Sequence, residues 1–466
     1  MARSNNSILQ GPLFLNIVTY TIPIILTSIL QLLFNAADLV IVGRFCGSVS
    51  VAAVGATGSI TNLIVNLFIG LSVGAGVAVA RAYGSKDDVM VHRTVHTAIP
   101  TAIVGGIVLT FVGVLFSEEF LRMMDTPENV LALSSVYMKI YFGGITFSMI
   151  YNFCSSILRA VGDTKSPLLF LSIAGVVNVV LNVFFVTVFN MNVAGVALAT
   201  VISQYVSAAL LLWHMLKTDS LYKLEKIEFK FFKDKLSKIV AIGIPNAVHG
   251  VVISISNVFI QSSLNSFDSI AVTGSSAAAN IETYVYHIQS SFHQAGLTFV
   301  GQNYGAGKFD RIKKTQRCCY FLVITLGLTF GILAYVFGEP LLSIYIKDGP
   351  HYAETVAFGL ERMLCICVPY FLCGIIEVQT GLLCGLGKSV SPSVITVFGF
   401  CAVRLIWIAT MVEKYHTLTM LYACYPVSWL ISMILLYFVY LRAKHQLFPK
   451  NYKEIRVLRR KKTKEA

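Results

Sequence analysis

The sequence sets Glu282, Glu377 and Arg404 inside long apolar runs and Asp38 at the close of the first. On membrane-insertion scales a charged side chain near the bilayer centre costs about 2.5 to 3.5 kcal/mol, so each needs a partner or a use. A carboxylate in a low-dielectric pocket favours its protonated form, and it can take a proton from one side and release it when the pocket opens to another environment. If a cationic cargo and a proton or sodium ion cannot share such a pocket, binding of one expels the other. Asn178 and Asn182 are four residues apart and share one helical face, where their amide oxygens can hydrogen-bond a protonated acid or ligate sodium. Thr200, on the next run, adds a hydroxyl. Each candidate also has a plainer reading. Asp38 precedes Arg44 by six residues and could be an interfacial acid; Glu377 or Glu282 could form a structural ion pair with Arg404. His249, His287 and His293 fit neutral, hydrogen-bonded imidazoles.

Other chemistries lack their residues. Cys365-x-Cys367 and Cys318-Cys319 have no neighbouring His or Cys at ligand spacing, so the ten Cys read as small core residues, and no metal or organic cofactor is expected beyond H+ or Na+ as a coupling ion. The chain has no Gly-x-x-x-x-Gly-Lys-Ser/Thr loop for ATP and no paired Ser/His or facing acids for an intramembrane enzyme.

The elements that must position these groups follow from composition. At 56% hydrophobic and 13% charged over 466 residues, with mean hydropathy +0.73, a soluble globular fold is excluded. Apolar runs fall near 13–35, 51–76, 93–116, 130–156, 167–188, 193–216, 238–263, 271–298, 319–337, 360–386, 393–412 and 418–441. Each is long enough for a transmembrane helix, and runs such as 98–116 lack the alternation of a β-barrel strand. The expected fold is therefore an all-α polytopic membrane protein with twelve transmembrane helices. The first run has no small-residue cleavage site and is expected to be a retained helix. Of the 36 Lys and Arg, 29 fall on one side of the alternation and four on the other, which predicts an inner or plasma membrane protein with both termini cytoplasmic. Dealt out in this way, the net charge of +13 calls for no nucleic acid.

The chain is also written twice. Arg81-Ala-Tyr-Gly-Ser-Lys recurs as Gln302-Asn-Tyr-Gly-Ala-Gly, with Tyr83 and Tyr304 offset by 221. Leu158-Arg-Ala-Val-Gly-Asp-Thr-Lys-Ser-Pro167 recurs as Leu383-Cys-Gly-Leu-Gly-Lys-Ser-Val-Ser-Pro392 at 225, and Pro23 recurs as Pro245 at 222. Six intervening runs, an even number, give both halves one orientation and a pseudo-twofold along the membrane normal. The division is a first lobe at 1–216, a cytoplasmic linker at 217–237, a second lobe at 238–441 and a basic cytoplasmic tail at 442–466. Pro23 and Pro245 are hinge candidates, as is Pro369. Gly70-x-x-x-Gly74-x-Gly76 reads first as a helix-packing face.

Taken as a set, these residues resemble the multidrug and toxic compound extrusion (MATE) family over nearly the whole chain. The carriers are Asn35-x-x-Asp38-x-x-x-x-Gly43-Arg44, Gly70 to Gly84, Leu158 to Thr164, Asn178-x-x-x-Asn182, Gly195 to Thr200 and Tyr304-Gly305. The resemblance implies two six-helix lobes and a secondary active antiporter that exports small, cationic or amphipathic organic compounds in exchange for H+ or Na+ by alternating access. It further implies a monomer in the lipid bilayer, of prokaryotic type, and a cavity between the lobes to which Phe34, Asn35, Tyr151 and Asn152 are assigned. In archaeal and DinF-like members an N-lobe site joins the first-helix acid to positions matching Asn178, Asn182 and Thr200. Asn182 departs from the acid usual there, and Ile253 stands where the NorM-like branch has a glutamate. Glu282, Glu377 and Arg404 are the candidates for a coupling group in the second lobe. A lipid-linked oligosaccharide flippase of the same superfamily, an intramembrane enzyme and a passive channel are the alternatives.

Overall fold

A backbone in hydrocarbon must satisfy its own N–H and C=O groups, and these apolar runs do so as helices. The computed structural model describes residues 8–225, 230–347 and 349–448, and no strand occurs among them. The first three helices are Leu13–Phe45, Ser48–Ser85 and Asp88–Met123. The fourth is broken into Glu128–Gly143 and Ile145–Val161, bent by 47° at Gly144. The fifth and sixth are Lys165–Thr187 and Asn192–Lys217; the seventh, eighth and ninth are Lys233–Leu264, Ser269–Gly305 and Phe309–Val336. The tenth, Tyr352–Ile366 plus Tyr370–Gly385, bends by 43° around Pro369. The eleventh is Val390–Tyr415 and the twelfth Leu418–Leu447.

Among the described residues nine helices are long and apolar enough to cross a membrane, and the two bent pairs raise the number to eleven. The remaining expected crossing, 271–298, lies in Ser269–Gly305, which is 37 residues long but carries Glu282, Gln289 and His293. Its length suffices, and Glu282 and Gln289 are buried within the protein. Arg404 sits in the short α-turn Val403–Trp407, flanked by π-helical turns at Val397–Ala402 and Ile408–Val412. Such turns widen the helix locally and are common where a side chain has a special position to reach. The ten Cys form no disulfide.

The chain packs as two units. Of the described residues, 15–225 and 230–258 form one; 8–14, 259–347 and 349–448 form the other. The first is built on a core that includes Val95, Ile99, Phe142, Phe153, Cys154 and Leu211. Two glycines of the third helix let the fourth come close: a Cβ on Gly113 would lie 2.1 Å from the Phe142 ring, and one on Gly106 2.6 Å from Thr146 Cα. The second unit has its own core of Ala278, Ile281, Val285, Leu342 and Met363. There Gly381 and Gly385 of the tenth helix meet backbone carbonyls of His293 and Leu297 on the eighth.

The packing boundary differs from the boundary drawn from the repeat. Sequence division begins the second lobe at 238, whereas the seventh helix stays with the first unit as far as Val258. Glycine is the reason. A Cβ on Gly70 would lie 2.3 Å from the Ala247 amide nitrogen, one on Gly74 2.2 Å from the Ile239 carbonyl oxygen, and one on Gly243 2.7 Å from Leu71 Cα. The second and seventh helices therefore touch backbone to backbone, as the glycine spacing predicts. Gly76 serves the fourth helix instead, giving room to Ser156, whose hydroxyl donates to the Ser72 carbonyl at 2.7 Å. The linker residues 226–229 and the tail from 449 onward lie outside the described residues.

Because backbone atoms cannot yield as a side-chain tip can, Gly74→Val should lower stability by about 1 to 3 kcal/mol. Gly55→Ala, where nothing lies within 4 Å of the added Cβ, is the control and should be neutral or stabilising. Thermal unfolding of the purified protein in detergent measures both, and equal melting points for Gly74→Val and Gly55→Ala would contradict the backbone contact.

Candidate functional site

The first helix carries Phe34 and Asp38 one turn apart, and the fifth carries Gly175, Asn178 and Asn182 along one face. Gly175 supplies a hole: a Cβ there would sit 1.8 Å from Phe34 Cζ. With the Phe34 ring seated on Gly175, one further turn of the first helix and two of the fifth bring Asp38 to Asn182.

The resulting network is continuous. Asn182 Nδ2 donates to Asp38 Oδ1 at 2.5 Å and to Asn178 Oδ1 at 3.1 Å. Asn178 Nδ2 donates to Thr200 Oγ1 at 3.3 Å. Thr200 Oγ1 has one proton, shared between the Val196 carbonyl at 3.0 Å and Asp38 Oδ2 at 3.5 Å. Asp38 Oδ2 is thus the loosely held oxygen of the pair. Asn178 and Asn182 are buried and Asp38 is half-buried, with no cationic side chain pairing it among the described residues. Beside the network lie Ile41, Val42, Tyr137, Val186, Val193 and Val196, which keep the local dielectric low.

Carboxylate, amide and hydroxyl oxygens are hard donors that suit a proton or an alkali cation, not a soft metal. Asn182 Oδ1 is buried and has no hydrogen-bond partner. Rotating that amide by half a turn would present its oxygen to Asp38, so the side chain can donate to a carboxylate or accept from a carboxylic acid. Among the described residues no cluster of three or more His, Cys, Asp or Glu could hold a metal ion.

The other expected residues are placed differently. Asn35 is exposed and Phe34 half-buried, whereas Tyr151 lies in the packed core of the first unit with its hydroxyl unpartnered. Asn152 Nδ2 donates to the Ser148 carbonyl of its own helix at 2.8 Å. Pro23 leaves the first helix continuous, with Thr27 Oγ1 donating to the Pro23 carbonyl at 2.7 Å; Pro245 lies inside the continuous seventh helix two residues beyond Gly243.

In the second unit the partner of Glu282 is Arg362, not Arg404. Arg362 Nε and Nη2 donate to the two carboxylate oxygens at 2.8 and 2.9 Å, and its guanidinium lies over Tyr422 at 5.5 Å and Tyr425 at 5.9 Å. Both ions are buried. Arg362 escaped the sequence reading because it stands at the polar start of its run, beside Glu361; the signal available was that Glu282 required a cation. Arg404 Nε donates to Ser428 Oγ at 3.0 Å and its guanidinium lies 4.4 Å from the Tyr425 ring. Glu377 accepts from Tyr286 OH at 3.4 Å and faces His293 Nδ1 at 3.4 Å.

Residues 23–184 and 245–409 match the pattern of the family described as MatE. The chain is 27% identical to the probable multidrug resistance protein YoeA of Bacillus subtilis, over 90% of this chain and 92% of that one. It is 28% identical to the probable multidrug resistance protein YpnP of the same organism, over 85% and 87%. Among solved structures, an outward-facing multidrug resistance MATE family transporter of the MOP superfamily superposes with TM-score 0.87 at 19% identity, covering 96% of this chain and 98% of that one.

A buried pair broken on one side leaves an uncompensated charge, so Arg362→Met should cost about 3 to 5 kcal/mol, while Arg362→Met with Glu282→Leu should recover most of it. Melting temperatures test this, and a double variant no more stable than the single one would contradict the pairing.

Proposed function

This chain belongs to the MatE family, and from that membership we propose that it is a secondary active antiporter of the plasma membrane. In this reading it exports small amphipathic, cationic organic compounds in exchange for H+ or Na+ by alternating access of its two halves, as a monomer with both termini cytoplasmic. The observation that carries the proposal is the network around Asp38: one carboxylate, half-buried, held only by neutral partners.

The exchange follows from charge. Unprotonated and without sodium, Asp38 is a negative group among apolar side chains, and an organic cation neutralises it. A proton on Oδ2, with Asn182 turned to accept, neutralises it equally well. So does a sodium ion, for which Asp38, Asn178, Asn182 and Thr200 offer oxygens. Only one positive charge is needed at a time, so loading one species releases the other. With asparagine at 182 the site holds a single negative charge, and it relays through neutral amides where DinF-like members use a second acid. Glu377, with Tyr286 and His293 against it, is the candidate for a further proton-linked group in the second unit. Glu282, neutralised by Arg362, is assigned to structure.

Dye efflux from vesicles under an imposed pH or sodium gradient tests this. Asp38→Asn should lower gradient-driven efflux by about tenfold or more, the equivalent of losing some 1.4 kcal/mol of differential binding. Lowering pH protonates Asp38 and should weaken cation binding by up to about tenfold per pH unit, a slope absent in Asp38→Asn. Efflux unchanged by that substitution would refute the assignment.

A further inference from the structure

Two short segments, each leading into a helix, are gripped by matching helices in the two halves. In the second unit, residues 8–11 lie against the start of the ninth helix. Arg311 Nη2 donates to the carbonyls of Ile8 at 3.0 Å and Gln10 at 3.2 Å, and Nη1 donates to that of Gly11 at 3.2 Å. Lys308 Nζ donates to the Leu9 carbonyl at 2.9 Å and Asn303 Nδ2 to that of Ile8 at 3.4 Å. The side chains of Ile8 and Leu9 are buried. In the first unit, the residues leading into the seventh helix lie against the third. The Phe232 amide donates to Thr97 Oγ1 at 3.3 Å, and the Arg93 guanidinium sits 5.3 Å from the Phe232 ring centroid.

The straps correspond in the repeat, Gly11 and Phe232 being offset by 221 like Tyr83 and Tyr304. The arginines that grip them stand on the matching third and ninth helices about one turn out of register, Arg93 ten residues after Tyr83 and Arg311 seven after Tyr304. Each strap is held in one unit and feeds a helix that reaches the other. Residues 8–14 pack with the second unit, yet the chain turns at Gly11, whose φ is +75°, and from Leu15 the first helix belongs to the first unit. The strap at 230–232 is held in the first unit and the seventh helix passes to the second at Phe259. Pro23 follows Gly11 by 12 residues and Pro245 follows Phe232 by 13.

We propose that these straps are a reciprocal pair of anchors, with Arg311 and Arg93 as positioning residues that hold the entry ends of the first and seventh helices while the remainder of each helix moves in the cycle. The proposal rests on the antiport reading for what that movement accomplishes. Arg311 grips backbone carbonyls with a charged fork, so it fixes the path of the chain and not a particular side chain. These carbonyls precede the first helical turn and have no intrahelical donor of their own to satisfy them.

The test uses the full chain in nanodiscs and vesicles, with ethidium as the organic-cation probe. Hydrogen exchange of residues 8–20 should rise by about tenfold or more in Arg311→Gln, as expected when a local opening becomes easier. Arg311→Lys, which keeps the charge and loses the fork, should give a smaller rise, and Lys314→Gln, on the same helix without a strap contact, none. Arg93→Gln should have the same effect on residues 230–240. Ethidium efflux should fall at least about fivefold in Arg311→Gln and Arg93→Gln while ethidium affinity stays within about twofold of wild type. Raised exchange with unchanged efflux overturns the proposal, as does unchanged exchange, and so does a fall in affinity that accounts for the lost efflux. A wild type that moves no ethidium under either gradient refutes the antiport reading instead. The anchors are then judged on whether exchange spreads from the strap into the first helix, and confinement to residues 8–11 overturns them.

Discussion

A single carboxylate held at the edge of an apolar region by neutral hydrogen-bonding groups is the constraint from which the rest follows. An arginine beside Asp38 would neutralise it permanently, as Arg362 does for Glu282. Two asparagines and a threonine instead offer enough polarity to keep the anion in place while leaving its charge unanswered. The two carboxylates illustrate opposite solutions to the same desolvation problem. One is closed by a bidentate ion pair under aromatic rings, and the other is held by neutral groups alone.

Glycine determines where those groups meet. Gly175 admits the Phe34 ring, and the distance between the first and fifth helices at that contact sets whether Asp38, one turn beyond Phe34, reaches Asn182, two turns beyond Gly175. Gly70, Gly74 and Gly243 bring the second and seventh helices to backbone contact, so most of the seventh helix packs with the first unit although the repeat assigns it to the second half. In hydrocarbon there is little hydrophobic drive for helices to associate, and close van der Waals approach of small residues supplies much of what holds them.

Much of this was legible in the sequence because it depends on local pattern. Long apolar runs dictate helices, and a four-residue spacing puts Asn178 and Asn182 on one face whatever else happens. The eighth helix was found in the same way despite Glu282 and Gln289, since its polar residues remain interspersed with apolar ones. What was not legible depends on distant pairs. Nothing near Glu282 in the chain points to Arg362, nothing near Arg311 points to the carbonyls of residues 8–11, and Tyr151 sits in the first unit's core where a cavity position was expected. Sequence states that a buried charge requires a partner; the fold chooses which.

The central claim is that one half-buried acid is occupied by an ion or by cargo, never by both. Titrating the purified protein with an organic cation in weakly buffered, detergent-containing solution tests it directly, with pH and free sodium followed as the cation binds. The account predicts that bound cation displaces a proton or a sodium ion, and that the displacement disappears in Asp38→Asn. Binding of comparable affinity with neither ion released from the wild type would contradict it.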